Sequence, residues 1–207
     1  DPGRGVMVQG MHYNKDSKQW ERNAIFASDV DNWAIALLGP EEVNALFNDE
    51  GAAYKMWQAT KKISGVYTAD GILRGVDFTD YKAAGRDAAV SGEWTEGAVL
   101  ALDRMIALYA QSHPDWAQSL RTDRNQMQSS MEQLKITRDG VTGYAYADKR
   151  VPTGAKGSGF YWMAQACPSA ASSMWKRWLD SGFNPEILGG GEKVTKAPRA
   201  AAQPGAE

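Results

Sequence analysis

Two acidic clusters stand beside tryptophan where helix-like segments begin. In Ser91-Gly-Glu-Trp-Thr-Glu-Gly97, Glu93 and Glu96 are three residues apart, which puts both carboxylates on one face of a helix's first turn. Trp94 lies between them, and Gly92 and Gly97 leave room for a ligand to approach. A carboxylate there feels the positive end of the peptide dipoles and is expected to stay ionised, which suits a general base or nucleophile. The same placement can simply stabilise a helix start, by about 0.3–1 kcal/mol per residue. Ser28-Asp-Val-Asp-Asn-Trp33 repeats the pattern, with Asp31 where a capping box wants its carboxylate and Asp29 freer to meet a ligand. If the helix starts carrying Asp29 and Glu93 face one cleft, two carboxylates flank a glycosidic bond, and their separation decides between inverting and retaining chemistry.

A third group is aromatic. Tyr144, Tyr146, Phe160, Tyr161 and Trp162 fall in loops and a hairpin rather than at helical spacing, and loops are where binding residues concentrate. Eight Trp and eight Tyr beside 21 Gly suit sites where flat rings stack on flat ligand faces, as sugars require. Asp31, Trp33, Trp94, Tyr146, Tyr161 and Trp162 are the expected substrate-binding positions, with Glu93, Glu96 and Asp29 as catalytic candidates. Phe160 reads better as a plug at the end of a bundle, and Trp57, Trp116, Trp175 and Trp178, inside helices, read as core. Cys167 reads as a small buried hydrophobe and His113 as a helix-end residue.

Composition narrows the classes. With 207 residues, 43% hydrophobic and 23% charged, the chain is an ordinary globular protein of one or two domains. One cysteine excludes an internal disulfide, and two distant histidines, His12 and His113, make zinc chemistry and a Ser-His-Asp triad poor fits. No metal or cofactor is expected. A net charge of -2 with scattered basic residues disfavours nucleic acid, and no apolar run approaches the roughly 18 residues of a membrane span. The opening residues carry no charged-then-apolar leader.

The elements that must position these side chains follow from periodicity and breakers. Residues 1–27 form an irregular segment of loops and a short strand pair. Helices are expected from Ser28 to Leu38, stopped by Gly39-Pro40, over Glu41 to Phe47, and from Asp49 to Ser64, closed by Gly65. Asp70-Gly71 marks a hairpin turn within Val66 to Val76. The strongest helical pattern, Glu93 to Gln111, ends at His113-Pro114, and a second long helix runs from Asp115 to Ile136, so the two must be antiparallel. Asp139-Gly140 marks another hairpin, the Gly-rich stretch Gly154 to Gly159 a loop, and Pro168-Ser169 the opening of a last helix that reaches Gly182. The expected fold is mainly α, antiparallel helix pairs with small hairpins over 28–188, followed by a Gly/Ala/Pro-rich tail over 189–207.

Several phrases, Ala27-Ser-Asp-Val-Asp-Asn-Trp33, Gly51-Ala-Ala-Tyr-Lys-Met-Trp57, Ser91-Gly-Glu-Trp-Thr-Glu-Gly-Ala98, Tyr146-Ala-Asp-Lys-Arg150 and Pro168-Ser-Ala-Ala-Ser-Ser-Met-Trp175 through Phe183-Asn-Pro185, together resemble the α/α-toroid glycoside hydrolases and their relatives acting on β-glucans and other polysaccharides. The resemblance covers roughly residues 25 to 190 and implies an extracytoplasmic (periplasmic or secreted) carbohydrate-active domain with acidic residues at the mouth of a helical ring. Such rings take about a dozen helices, whereas this sequence supplies about six. Half a ring would expose an apolar edge, so a second chain or a missing N-terminal half is expected to complete it. The alternative is a non-catalytic structural subunit of a larger extracellular or envelope assembly.

Overall fold

The computed structural model describes residues 3–23, 25–154, 156 and 161–187; the expected tail, Phe160 and most of the Gly154–Gly159 loop lie outside them. Six helices carry the described residues: α1 (Ser28–Leu38), α2 (Pro40–Phe47), α3 (Ala52–Ser64), α4 (Gly92–Ser112), α5 (Pro114–Met131) and α6 (Ala170–Ser181). Small antiparallel sheets join them: β1 (Met11–Asn14) with β2 (Gln19–Arg22), β3 (Gly65–Tyr67) with β4 (Leu73–Val76), β6 (Val141–Ala145) between β5 (Lys135–Arg138) and β9 (Pro168–Ser169), and β7 (Val151–Pro152) with β8 (Met163–Ala164). At 48% helix and 18% strand the architecture is mixed, with more strand than the mainly helical expectation and, among the described residues, no closed barrel.

Helix α4 is the axis of the molecule. From Trp94 to Leu102 every residue is buried, because α1, α5, α6 and β4 all pack against it. An amphipathic stripe would serve a helix on a surface; here the stretch from Trp94 to Leu102 is core all round. His113-Pro114 turns the chain into α5, and the antiparallel pairing is read from Tyr109 meeting Trp116 edge-on at 5.3 Å while Asp103 pairs with Arg124 at 3.2 Å. His113 stacks on Trp116 at 4.0 Å, as a helix-end residue with a packing role. The β3–β4 hairpin lies over this pair: the Val76 N–H donates to Thr95 Oγ1 and the Leu73 N–H to Gln126 Oε1.

Four local expectations are corrected. The long second helix stops at Met131, passes through one 3-10 turn and leaves Ile136 in β5, where pairing with Gly143 replaces helical bonds. Pro168-Ser169 forms β9 against β6, and the last helix starts at Ala170. No capping box opens α1: Ser28 Oγ donates to the Asp77 carbonyl and the Asp31 carboxylate is engaged elsewhere. Cys167 is exposed rather than buried, and what it contributes is a carbonyl that accepts the Tyr146 N–H.

Candidate active site

Two segments meet the start of α4. Ser91 Oγ accepts the Trp94 N–H, which fixes the first turn, and the Gly92 N–H donates to the Tyr146 carbonyl at 2.9 Å. Gly92 is required here, since a Cβ would run into the Ala145 carbonyl and Ser172. The Asp148 N–H donates to the Val90 carbonyl, and Asp148 in turn takes the Val90 N–H and pairs with Arg74 at 2.9 Å. The Tyr146 segment is thereby pinned beside Glu93.

The second segment brings α1. The Ser28 N–H donates to the Phe78 carbonyl while Ser28 Oγ reaches Asp77, so residues 77–78 hold the turn carrying Asp29. Phe78, fully buried, lies 5.1 Å from Trp94, 5.4 Å from Tyr146 and 6.2 Å from Trp162 between ring centroids. Beneath it, Arg86 grips both oxygens of buried Asp77, at 2.7 and 2.5 Å, and also donates to the Thr153 carbonyl. Nothing in the sequence marked Asp77, Phe78 or Arg86, which stand in a stretch without periodicity; their importance comes from tertiary partners alone.

Electrostatics differ from the helix-start expectation, because burial outweighs the peptide dipoles. Desolvation lifts Asp29 from 3.8 to about 6, against the pull of the Asp29 and Val30 N–H groups, and one of its oxygens is buried with no partner among the described residues. Half-buried Glu93 is raised by desolvation and then by the charge of Asp29, with a hydrogen bond from the Trp175 side chain opposing both. Tyr146 is pushed up to about 12 by desolvation and by the charge of Glu93, while the Trp162 indole N–H bonded to it works the other way and Asp29 adds to the rise. Asp29, Glu93 and Tyr146 therefore share one electrostatic neighbourhood, with a neutral phenol beside both carboxyls.

The remaining positions separate from this group. Glu96, 1% exposed, is lifted to about 9 mainly by burial, with Lys176 opposing and Asp180, Glu93 and Glu132 adding; neither oxygen has a partner among the described residues. A neutral buried acid does not fit the expected base. Asp31 is equally committed: it accepts the Met7 N–H at 2.8 Å and Thr60 Oγ1 at 2.7 Å, which leaves no oxygen for a ligand. Trp94 is buried in the core against Phe78. Trp33 lies parallel to Trp175 at 5.8 Å, packed over Gly97, whose missing Cβ makes way for the indole. Tyr161 and Trp162, 44% and 38% exposed, are the rings open to solvent, and the Trp162 backbone is held by Thr153 through its N–H and carbonyl. Trp175, read from sequence as core, is buried yet reaches Glu93.

Among the described residues no group of three His, Cys, Asp or Glu side chains could hold a metal ion, and no helix is long and apolar enough to cross a membrane. Comparison with protein-family models, curated proteins and solved structures returns no match to this chain.

Proposed function

We propose that this chain is a carbohydrate-active domain that cleaves a glycosidic bond in a polysaccharide or oligosaccharide between Asp29 and Glu93. The observation that carries the reading is the coupling of these two carboxyls, brought from the starts of two different helices, in which the charge of Asp29 raises Glu93 and both act on Tyr146. Asp29, titrating near 6, is protonated in mildly acidic solution and serves as the general acid. Glu93, reachable from solvent, is the base or nucleophile. The Tyr146 hydroxyl, neutral throughout, positions the sugar, and Tyr161 and Trp162 offer ring faces to it. Asp31, Trp94 and Glu96 support the site from beneath without meeting the substrate.

The reading extends to the α/α-toroid resemblance: an extracytoplasmic half-ring whose helices are completed by a second chain or an N-terminal half. Exposed Leu37 and Leu38 at the end of α1 and Leu46 and Phe47 on α2 support such an edge. They also favour the second reading, a non-catalytic subunit of an extracellular or envelope assembly.

Release of reducing ends from β-glucan and α-glucan chains tests the first reading. Asp29→Asn and Glu93→Gln are each expected to lower the rate by about 10²–10⁴-fold, and Glu96→Gln to leave it close to wild type. No release from these glucans or from polygalacturonate, or release untouched by Asp29→Asn and Glu93→Gln, overturns it in favour of the subunit.

A further inference from the structure

The β1–β2 hairpin is two-faced, and among the described residues nothing covers one face. Its register sets Met11 opposite Arg22 and Tyr13 opposite Trp20, and opposed residues point to the same side, so these four line one face. Met11, Tyr13 and Trp20 are 55%, 49% and 65% exposed, and the two rings meet at 5.7 Å and 66°, forming an open corner. The other face satisfies itself: Glu21 accepts Asn14 Nδ2 and Ser17 Oγ and lies 3.7 Å from His12 Nε2. Among the described residues no carboxylate pairs with Lys15, Lys18 or Arg22: Arg22 stands on the ring face, and the two lysines lie in the turn, which also carries Asp16, in a chain whose net charge is -2. A two-stranded hairpin is marginal in water, and an exposed Trp on it is explained most simply by a ligand.

The chemistry selects the ligand. Indole and phenol faces accept the apolar C–H face of a pyranose, and free ammonium and guanidinium groups accept carboxylates. The base of the hairpin is also tied to the first turn of α1. The Asn23 N–H donates to the Gly10 carbonyl, Asn23 Nδ2 to Gln9 Oε1, and the Met7 N–H to Asp31, two residues from Asp29. We propose that the Tyr13–Trp20 corner with Arg22, Lys15 and Lys18 is a binding platform for an acidic polysaccharide, holding the chain whose bond is presented to Asp29 and Glu93. The binding half of this statement stands on the hairpin alone; the presenting half rests on the glycosidase reading.

Titration calorimetry of the full chain with polygalacturonate, a neutral β-glucan, dextran and anionic phospholipid vesicles tests it. Polygalacturonate is expected to bind, weakening as salt is raised, with Trp20→Ala costing roughly tenfold in affinity and Arg22→Gln a smaller loss. Gln19→Ala, on the hairpin's other face, is expected to bind as wild type, and Trp20→Tyr, which keeps a ring at the same register, to retain more affinity than Trp20→Ala, separating loss of the platform from loss of the hairpin. Polygalacturonate binding indifferent to Trp20→Ala overturns the platform while leaving the glycosidase reading untouched. Trp20-dependent binding of only the neutral glucans, or of only the vesicles, overturns the acidic-polysaccharide assignment, as does the absence of any binding. Trp20-dependent binding of polygalacturonate without any cleavage upholds the platform and removes the glycosidase reading alone.

Discussion

At the scale of single residues, Glu96 is the side chain whose environment most constrains the protein's behaviour. Its folded-state value of about 9 stands above the ordinary 4.5, so the folded protein holds a proton that the unfolded chain releases. The associated stability is complete below about pH 4.5 and is lost as pH rises through about 9. Asp29 and Asp31, raised from 3.8 to about 6, add a loss of the same sign that runs through about pH 6 and is complete about one unit higher. Between pH 6 and 9 the unfolding temperature is therefore expected to fall, and Glu96→Gln, neutral at every pH, to flatten that decline. Thermal unfolding of both proteins across this range is the check; an unchanged slope in Glu96→Gln assigns the loss to another group. The residue types were legible in the sequence, since Asp29, Glu93 and Tyr146 do share a neighbourhood. Their charge states were not, because burial is a property of what packs around them, and Asp31 owes its partners to Met7 and Thr60, 24 and 29 residues away.

At the scale of elements, two glycines set how closely α4 approaches its neighbours. A methyl group at Gly97 would overlap the Trp33 indole, which lies between α4 and Trp175 of α6. Gly97→Ala is expected to cost about 1–3 kcal/mol and to loosen the Trp33–Trp175 stack, read from chemical denaturation followed by tryptophan fluorescence. An unchanged midpoint would mean that α1 retreats without cost. Helix boundaries marked by breakers, Gly39-Pro40 and His113-Pro114, were visible in the sequence, because proline cannot donate and glycine at positive φ ends a helix. The strand over Ile136 and the edge strand at Pro168 were not, since their bonds lie across the sheet rather than along the chain.

At the scale of the whole molecule, the Asp77–Arg86 pair joins parts that meet nowhere in sequence. Asp77 is fully buried and receives Arg86, the Ala89 N–H and the Thr79 N–H, while its carbonyl holds Ser28 and Arg86 reaches Thr153. Removing one partner strands the other charge, so Arg86→Met is expected to destabilise the protein by about 3–5 kcal/mol. Urea unfolding measures this, and a loss under about 1 kcal/mol would show that water reaches Asp77. The double replacement Asp77→Asn with Arg86→Met, which leaves no charge stranded and keeps an amide oxygen for the buried N–H donors, is expected to lose less than Arg86→Met alone.

The Met7–Asp31 bond has a mechanical side. A force applied at the β1–β2 hairpin reaches the first turn of α1 forward along the chain to Ala27 and backward through the Met7 N–H, and is shared with residues 79–80 through the Phe26 carbonyl and Arg4. Tension on the outer strands is delivered to the backbone that carries Asp29, with Thr60 bracing Asp31 from the far side. One side chain, Asp31, thus ties the segment before the hairpin, the first turn of α1 and Thr60 of α3 together.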